Sequence, residues 1–380
     1  MSRRAMDKRF FATTTLGLER VLAGELKRLG AQGIRPGSGG VAFRGDRNLM
    51  MAACVSLRTA HRVLWMLGEF PAPDLDALYA GVREVARWTG LMTPSHTLAV
   101  HATTRESSIG DTRILAMKTK DAIVDAIRDV EGARPSVDRR DPDVRVHLRL
   151  SRNLASIGID AAGESLHVRG YRAQAGVAPL RETLAAGMLG LLGWDGSAPL
   201  LDPFCGSGTL PIEAALIAGR RDPGLLGRRY GFERWPGHKA ERLEGLLDQA
   251  EARVQPPGVT IRGYDSAAGA VALARANVER AQVQKRVVIN RGDAQRLRPT
   301  EDGPGLVIGN PPYGERMGDA TSLISLYEAL GQLLRESFAG WRVGMLLADE
   351  RHHQALGLDT KRSWRLRQGP LDVTLYEYLV

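Results

Sequence analysis

Ala198-Pro-Leu-Leu-Asp-Pro-Phe-Cys-Gly-Ser-Gly-Thr209 reads as an apolar strand that runs into a glycine loop and then opens a helix, Thr209 to Ala218. Gly206 and Gly208 let the backbone approach a ligand closely, and in an open parallel sheet that ligand lies across the carboxyl edge of the strands. The same alternation continues downstream. Strands are predicted at Thr260 to Asp265, Val287 to Asn290, Leu306 to Gly309 and Val343 to Ala348, and helices at Ala267 to Ala281 and Leu323 to Phe338. Strand alternating with helix predicts an α/β fold with a doubly wound parallel sheet. A helix at Leu180 to Leu192 precedes it, and two β-like runs, Trp364 to Gln368 and Asp372 to Leu379, predict an antiparallel edge.

The front of the chain has a different texture. Phe10 to Gly45 reads as strand, helix, strand, with apolar residues at 18, 21, 22, 26 and 29 in helical spacing closed by Gly30. Asp46 to Leu67 reads as helix passing into strand, Ala72 to Trp88 as an amphipathic helix, Leu98 to Thr104 as a strand and Ile114 to Val130 as a helix. Val144, Val146, Leu148 and Leu150 alternate with Arg145, His147 and Arg149, the signature of a half-exposed strand, with Leu154 to Asp160 as its hairpin partner. Short strands mixed with helices predict α+β. The boundary between the two textures falls near Gly170 to Ala178, and an insertion rich in Arg, Gly and Pro lies between Gly219 and Gly258.

Composition sets limits on function. The 380 residues suit two or three domains, and 43% hydrophobic with 25% charged residues excludes a disordered or collagenous chain. No apolar run approaches the roughly 18 residues that cross a bilayer, and the basic start leads into no apolar segment of a secretory signal. Cys54 and Cys205 cannot build a disulfide scaffold and suit a reducing cytoplasm. The net charge of +9 is uneven: +7 falls in residues 1–170 and +2 in the remainder. A basic front on a near-neutral back points to a polyanion-binding module joined to something else.

The glycine loop distinguishes its ligand. A dinucleotide fingerprint wants three glycines and an acid about 20 residues on, and a phosphate-binding Walker loop wants Gly-Lys-Ser/Thr. Neither is present. An acid at the strand end, Asp202, suits a cationic group such as an ammonium better than a pyrophosphate. S-adenosylmethionine (SAM) offers one ammonium, one ribose and one adenine. Asp265 ends the next strand, where a carboxylate can accept from both ribose hydroxyls, and Asp293 ends the one after, toward the adenine amine. Strand-end Asp residues also simply cap helices; three on successive strands make a stronger set.

The sharpest motif is Leu306-Val-Ile-Gly-Asn-Pro-Pro-Tyr-Gly-Glu-Arg316. Pro311 and Pro312 fix the backbone and remove two N–H donors, leaving the Asn310 side-chain oxygen and the Pro311 carbonyl as acceptors. Two acceptors can hold both hydrogens of a planar NH2 group and aim its nitrogen lone pair at a methyl donor. Tyr313 can stack on the ring that bears the amine.

With these residues in place, 180–380 resembles the class I SAM-dependent methyltransferases of the amino-methylating Asn-Pro-Pro-Tyr type. Leu57-Arg-Thr-Ala-His-Arg-Val-Leu, Lys118-Thr-Lys-Asp-Ala-Ile-Val-Asp and Ser165-Leu-His-Val-Arg-Gly-Tyr-Arg resemble the THUMP-domain RNA methyltransferases, most of all the bacterial 23S rRNA guanine-N2 enzymes. The likeness covers nearly the whole length and matches the single-transferase, N-terminal portion of two-headed members. It implies a ferredoxin-like segment over residues 1–45, a THUMP RNA-binding domain over 46–170 and a Rossmann-like methyltransferase domain over 171–380. It further implies SAM contacts from Asp202, Cys205, Gly206, Gly208, Thr209, Asp265 and Asp293, and an amine site at Asn310, Pro311, Pro312 and Tyr313. RNA is the implied partner, 23S rRNA first and tRNA second, with contacts from Lys118, Lys120, Arg169 and Arg172; no metal and no membrane are implied. Phe204 stands where relatives often have Met, an apolar exchange.

Other residues leave alternatives open. Arg169, Tyr171 and Arg172 either hold RNA or pack the domain junction. Arg228, Arg229, Arg234 and Trp235 form either an RNA wall or a salt-bridge set, and the run from Lys361 to Arg367 is an Arg-rich edge that suits either use. Cys205 reads as a packing residue, and His352-His353 as a solvated loop. DNA adenine methylation is the enzymatic rival, disfavoured by the lack of a DNA-reading motif, and a non-catalytic RNA-binding or assembly factor is the rival from outside enzymology.

Overall fold

The computed structural model describes residues 8–172, 180–256, 258–299, 303–312 and 320–380. The front module starts with β1 (Lys8–Thr14), whose Phe10 and Ala12 point into a core while Arg9 lies exposed. It continues through α1 (Glu19–Arg28), β2 (Gln32–Gly37), β3 (Gly40–Gly45), α2 (Arg47–Ser56) and β4 (Ala60–Pro71). Asp46 starts α2 by accepting a hydrogen bond from the Leu49 N–H (2.8 Å). The strand order β2-β3-β1-β4 with this connectivity is a βαββαβ ferredoxin-like unit. After it come α3 (Leu75–Glu84), β5 (Thr97–Arg105), α4 (Thr112–Glu131), β6 (Ser136–Val137), β7 (Val144–Ser151) and β8 (Leu154–Asp160).

Both halves share one sheet. β4 pairs antiparallel with β1 on one side and β8 on the other, giving the order β2-β3-β1-β4-β8-β7-β5-β6. Leu22 and Leu26 of α1, Met50 of α2, Leu78 of α3 and Ile123 of α4 all belong to one core, so the helices cover a single face. The opposite face carries Arg145, His147 and Arg149 of β7 beside His101 and Thr103 of β5. A cut at residue 45 therefore falls inside the ferredoxin-like unit. No linker marks the true join because β4, twelve residues long, serves both halves.

In the back module, α5 (Glu182–Leu191) precedes β9 (Leu200–Asp202), α6 (Thr209–Ala218), α7 (Ala240–Glu251), β10 (Ile261–Asp265), α8 (Ala268–Arg280) and β11 (Val287–Arg291). Then follow β12 (Leu306–Gly309), α9 (Ala320–Ser337), β13 (Arg342–Leu347), α10 (Glu350–Leu356), β14 (Thr360–Gln368) and β15 (Leu371–Leu379). The sheet order is β11-β10-β9-β12-β13-β15-β14, parallel from β11 to β13 and antiparallel at β15 and β14. Neighbouring residues feed opposite layers: Leu200 and Ile308 pack with α5, α6 and α8, while Leu201 and Val307 pack with α9 and α10. Strands buried on both faces explain the near-continuous apolar runs of the sequence. The reversal of strand order between β9 and β12 puts a crevice at their carboxyl ends.

The insertion at 219–258 belongs by packing to the front module. Tyr230, Phe232, Trp235 and Leu243 join the front core, and Trp235 lies 6.0 Å from Trp65 of β4. Arg228 donates to the carbonyls of Glu164, Ser165 and Val168, and Arg234 pairs with Asp141 at 2.7 Å. Arg228 and Arg234 thus strap the two modules together, while Arg229 stays exposed.

A buried polar seam lies beside the strap. Arg169, 2% exposed, donates to the carbonyls of Leu166 and Arg58 and stands 3.6 Å from Glu213, which is fully buried on α6. Arg172 pairs with Glu182 at 3.3 Å and donates to the Thr209 hydroxyl at 2.9 Å. Tyr171 is buried against Glu213. The RNA-contact expectation for Arg169 and Arg172 is thus corrected: their guanidinium groups are consumed inside the junction. Arg169→Ala leaves Glu213 buried without its cation and is expected to cost about 3–5 kcal/mol of unfolding free energy. Urea unfolding checks this; unchanged stability with weakened RNA binding would return Arg169 to the RNA surface.

Candidate active site

β9 delivers Asp202 to the crevice. The carboxylate is 1% exposed; Oδ1 accepts from the Phe204 N–H (3.0 Å), and Oδ2 is buried with no hydrogen-bond partner among the described residues. Burial, reinforced by the charge of Asp265, pushes its pKa up to about 8 against the opposing Phe204 hydrogen bond. A buried acid in this condition awaits a cation.

The loop beyond it is fixed by the neighbouring strand. The Cys205 N–H donates to the Tyr264 carbonyl (2.8 Å). The Gly206 and Ala267 N–H groups donate to the two oxygens of Asp265, at 3.1 and 2.9 Å. Gly206 and Gly208 have φ of +52° and +84°, left-handed values that favour glycine, and Gly208 ends the loop as the residue before α6. A Cβ on Gly206 would meet nothing within 4 Å, so that backbone faces open space. A Cβ on Gly263 would come within 3.0 Å of both Cys205 and Pro211. Gly263 is therefore part of the cradle, a role sequence reading missed because it stands inside a strand pattern.

Cys205 is buried, and its thiol pKa is raised by desolvation with Asp202 and Asp265 adding to it, so it is no nucleophile. Thr209 spends its hydroxyl on Arg172 and faces the junction seam. Asp293 is exposed after β11; its Oδ1 accepts from the Gln295 N–H (3.0 Å) and begins a single helical turn.

β12 carries Asn310 to the same rim. Pairing Leu306 with Leu200 and Val307 with Leu201 sets the strands in register, so Asn310 stands just beyond Asp202. Gly309 lies against Phe204 and Pro203: a Cβ there would be 3.4 Å from the Phe204 ring and 3.6 Å from Pro203, in ordinary contact. The Asn310 Oδ1 is buried and has no partner among the described residues. Pro311 is buried, and the Pro312 carbonyl accepts from the Tyr327 hydroxyl (3.0 Å). Tyr327, fully buried on α9, stacks on His352 with centroids 4.4 Å apart. Tyr313 lies outside the described residues.

Tyr327 and His352 are a second feature the sequence hid. The expected solvated loop at His352-His353 is in fact helix α10, where His352 is buried and His353 stacks on Tyr376 at 4.2 Å. The amphipathic spacing there is too short to reveal a helix. Among the described residues no group of three or more His, Cys, Asp or Glu is placed to hold a metal, and no helix is long and apolar enough to cross a membrane.

The sheet order, the glycine cradle and the Asn-Pro-Pro turn at one rim define a Rossmann-like methyltransferase domain behind a ferredoxin-like and THUMP-type module. The chain belongs to the family described as the RMKL-like methyltransferase domain, which matches residues 169–377, more than half of its length. Residues 9–64 match the RlmL ferredoxin-like domain and 72–160 the THUMP domain, which places the join within β4 and just after it. The chain is 42% identical over 374 residues to the ribosomal RNA large subunit methyltransferase K/L of Magnetococcus marinus, covering 96% of this chain and 52% of that one. The Pseudomonas putida F1 protein of the same name is 40% identical over 388 residues, covering 99% and 53%. The chain thus spans about half the length of the curated relatives it matches. The solved structure of SMU.472 complexed with SAH is 29% identical, with a TM-score of 0.90 and 98% coverage of both chains.

The Asp202 carboxyl sets a pH signature. Its folded pKa lies above the ordinary value of 3.8, so stability from this group is whole below about pH 4 and is lost as pH rises toward 8. Asp202→Asn is expected to raise the melting temperature of the ligand-free chain at pH 8 and leave it unchanged at pH 4. A variant less stable than wild type at pH 8 would contradict the buried, unpaired carboxyl.

Proposed function

We propose that this chain transfers a methyl group from SAM to the exocyclic N2 amine of a guanosine in RNA, 23S rRNA before tRNA. The observation that carries the reading is that Asn310 Oδ1 and Asp202 Oδ2, at the same sheet rim, are both buried with no hydrogen-bond partner among the described residues. A buried acceptor left unmade costs about 1–3 kcal/mol, which a binding-only protein would have no reason to retain. The structure of SMU.472 with SAH, the demethylated form of SAM, supports the cofactor.

Asp202 Oδ2 takes the donor's ammonium, the open backbone at Gly206 admits its body, and Asp265 and Asp293 reach its ribose and adenine. SAM supplies an electrophilic methyl on a sulfonium. Asn310 Oδ1 and the Pro311 carbonyl accept the two N–H groups of the target amine and hold its lone pair in line. Asn310 is no base at neutral pH, so the amine proton leaves after transfer. Tyr327 holds the Pro312 carbonyl and so fixes the turn.

RNA grip falls to the open sheet face, where Arg149, Arg105, His101 and Thr103 are exposed around Arg145 and His147. Its buried acid, Asp160, is already offset by Arg62 and by His147 at 3.5 Å. Lys118 stands 3.6 Å from Asp76 and Lys120 beside Asp121, so any RNA contact they make exchanges an internal ion pair. The target base must leave its stack to reach the crevice.

Asn310→Ala is expected to abolish transfer to an rRNA transcript while calorimetry still detects SAM; full turnover in that variant would defeat the assignment. Asp265→Ala should weaken SAM binding, and an unchanged affinity argues against the ribose role. Tyr327→Phe loses one hydrogen bond, worth about 1 kcal/mol, and is expected to lower kcat about fivefold with SAM affinity intact.

A further inference from the structure

Cations without carboxylates gather where the strap meets the front module. Lys8 Nζ lies 4.1 Å from the centroid of the Trp65 ring and the Arg47 guanidinium 4.9 Å from it. Arg47 also lines a groove of about 30 Å³ with Trp235, Pro236, His238, Lys239 and Arg242. Several surface arginines of this chain are paired, as in Arg83–Asp129, Arg113–Asp111, Arg234–Asp141 and Arg351–Asp349. Lys8, Arg47, Lys239 and Arg242 have no ion pair among the described residues, and the Arg47 Nε is buried without a hydrogen-bond partner.

These cations act against one another. Burial lowers the pKa of Lys8 and the Arg47 charge lowers it further; Arg47 is lowered by burial and then by Arg242. One helix start adds to the positive field: α7 begins at the groove with no side-chain cap from Lys239, whereas α2, which Arg47 opens, is capped by the Asp46 carboxylate. Two half-buried cations, Lys8 and Arg47, with the exposed Lys239 and Arg242 beside Arg47, raise the free energy of the folded chain unless an anion joins them. The room suits an oxygen of a tetrahedral oxyanion, and a guanidinium fork matches phosphate geometry.

We propose that this groove is a phosphoryl-anion site, separate from the methyl-transfer crevice, in which Arg47 and Arg242 clamp the phosphate and Lys239 neutralises it. Two sources offer that chemistry: a backbone phosphate of bound RNA and free inorganic phosphate. The first rests on the RNA reading above; the site itself does not.

The test compares the full chain with the Arg47→Gln/Arg242→Gln double variant. Without phosphate, the variant is expected to melt higher than wild type, since repulsion is relieved. With millimolar inorganic phosphate, wild type rises in melting temperature and the variant does not. Equal shifts in both, or none in either, overturn the site. A second arm measures binding of an rRNA fragment across salt concentrations. A slope of log affinity against log salt that is shallower by about 0.7–0.9 in the variant, the value for one phosphate, assigns the phosphate to RNA. An unchanged slope rules out the RNA source and assigns the groove to the free ion. Calorimetry with SAM on both proteins reports the separate crevice: if neither binds SAM, the methyltransferase reading fails while the phosphate result stands.

Discussion

Two oxygen atoms at the carboxyl rim of the back sheet, Asp202 Oδ2 and Asn310 Oδ1, are buried without a hydrogen-bond partner among the described residues. Pro311 and Pro312 offer Asn310 no N–H, and the Phe204 N–H is already spent on the other oxygen of Asp202. The parallel pairing of β9 with β12 brings both residues to the same carboxyl rim. Each unmade hydrogen bond costs about 1–3 kcal/mol. The apolar layers on both faces of the sheet sustain that cost, and in the proposed function a cationic ligand and an amine relieve it.

The front module is rigidly tied to this rim. The strap from the back module completes the front core through Tyr230, Phe232 and Trp235, and the seam through Arg169 and Arg172 ends on Glu213 and Thr209 of α6. That helix begins at the glycine cradle. The front sheet is therefore joined to the crevice through packed side chains. The open sheet face and the cation groove lie on different sides of the front module, since Trp65 and Phe10 point to the helix-covered face while His147 points away.

Much of this was legible in sequence because the informative residues obey local rules. Parallel strands buried on both faces stand out as apolar runs, and Gly206, Gly208, Pro311 and Pro312 are constrained by backbone geometry alone. β2 was not legible: it is an exposed edge strand with Pro36 and two glycines, and it carries no alternation. The expected end of α3 at Trp88 overshot because Trp88 anchors a separate turn, its indole N–H bonded to the Val82 carbonyl at 2.7 Å. Arg169, Arg172, Arg228 and Arg234 resemble RNA ligands in sequence. Whether an arginine meets a phosphate or a buried carbonyl depends on tertiary contacts that composition does not encode.

The central claim is that paired acceptors select an exocyclic amine. A ring nitrogen such as guanine N7 carries no hydrogens for them, and adenine N6 presents its amine on a different edge of the base. Mass identification of the methylated nucleoside, after the chain and SAM act on unmethylated 23S rRNA, tests this directly. The account predicts N2-methylguanosine; N7-methylguanosine as the product would contradict it.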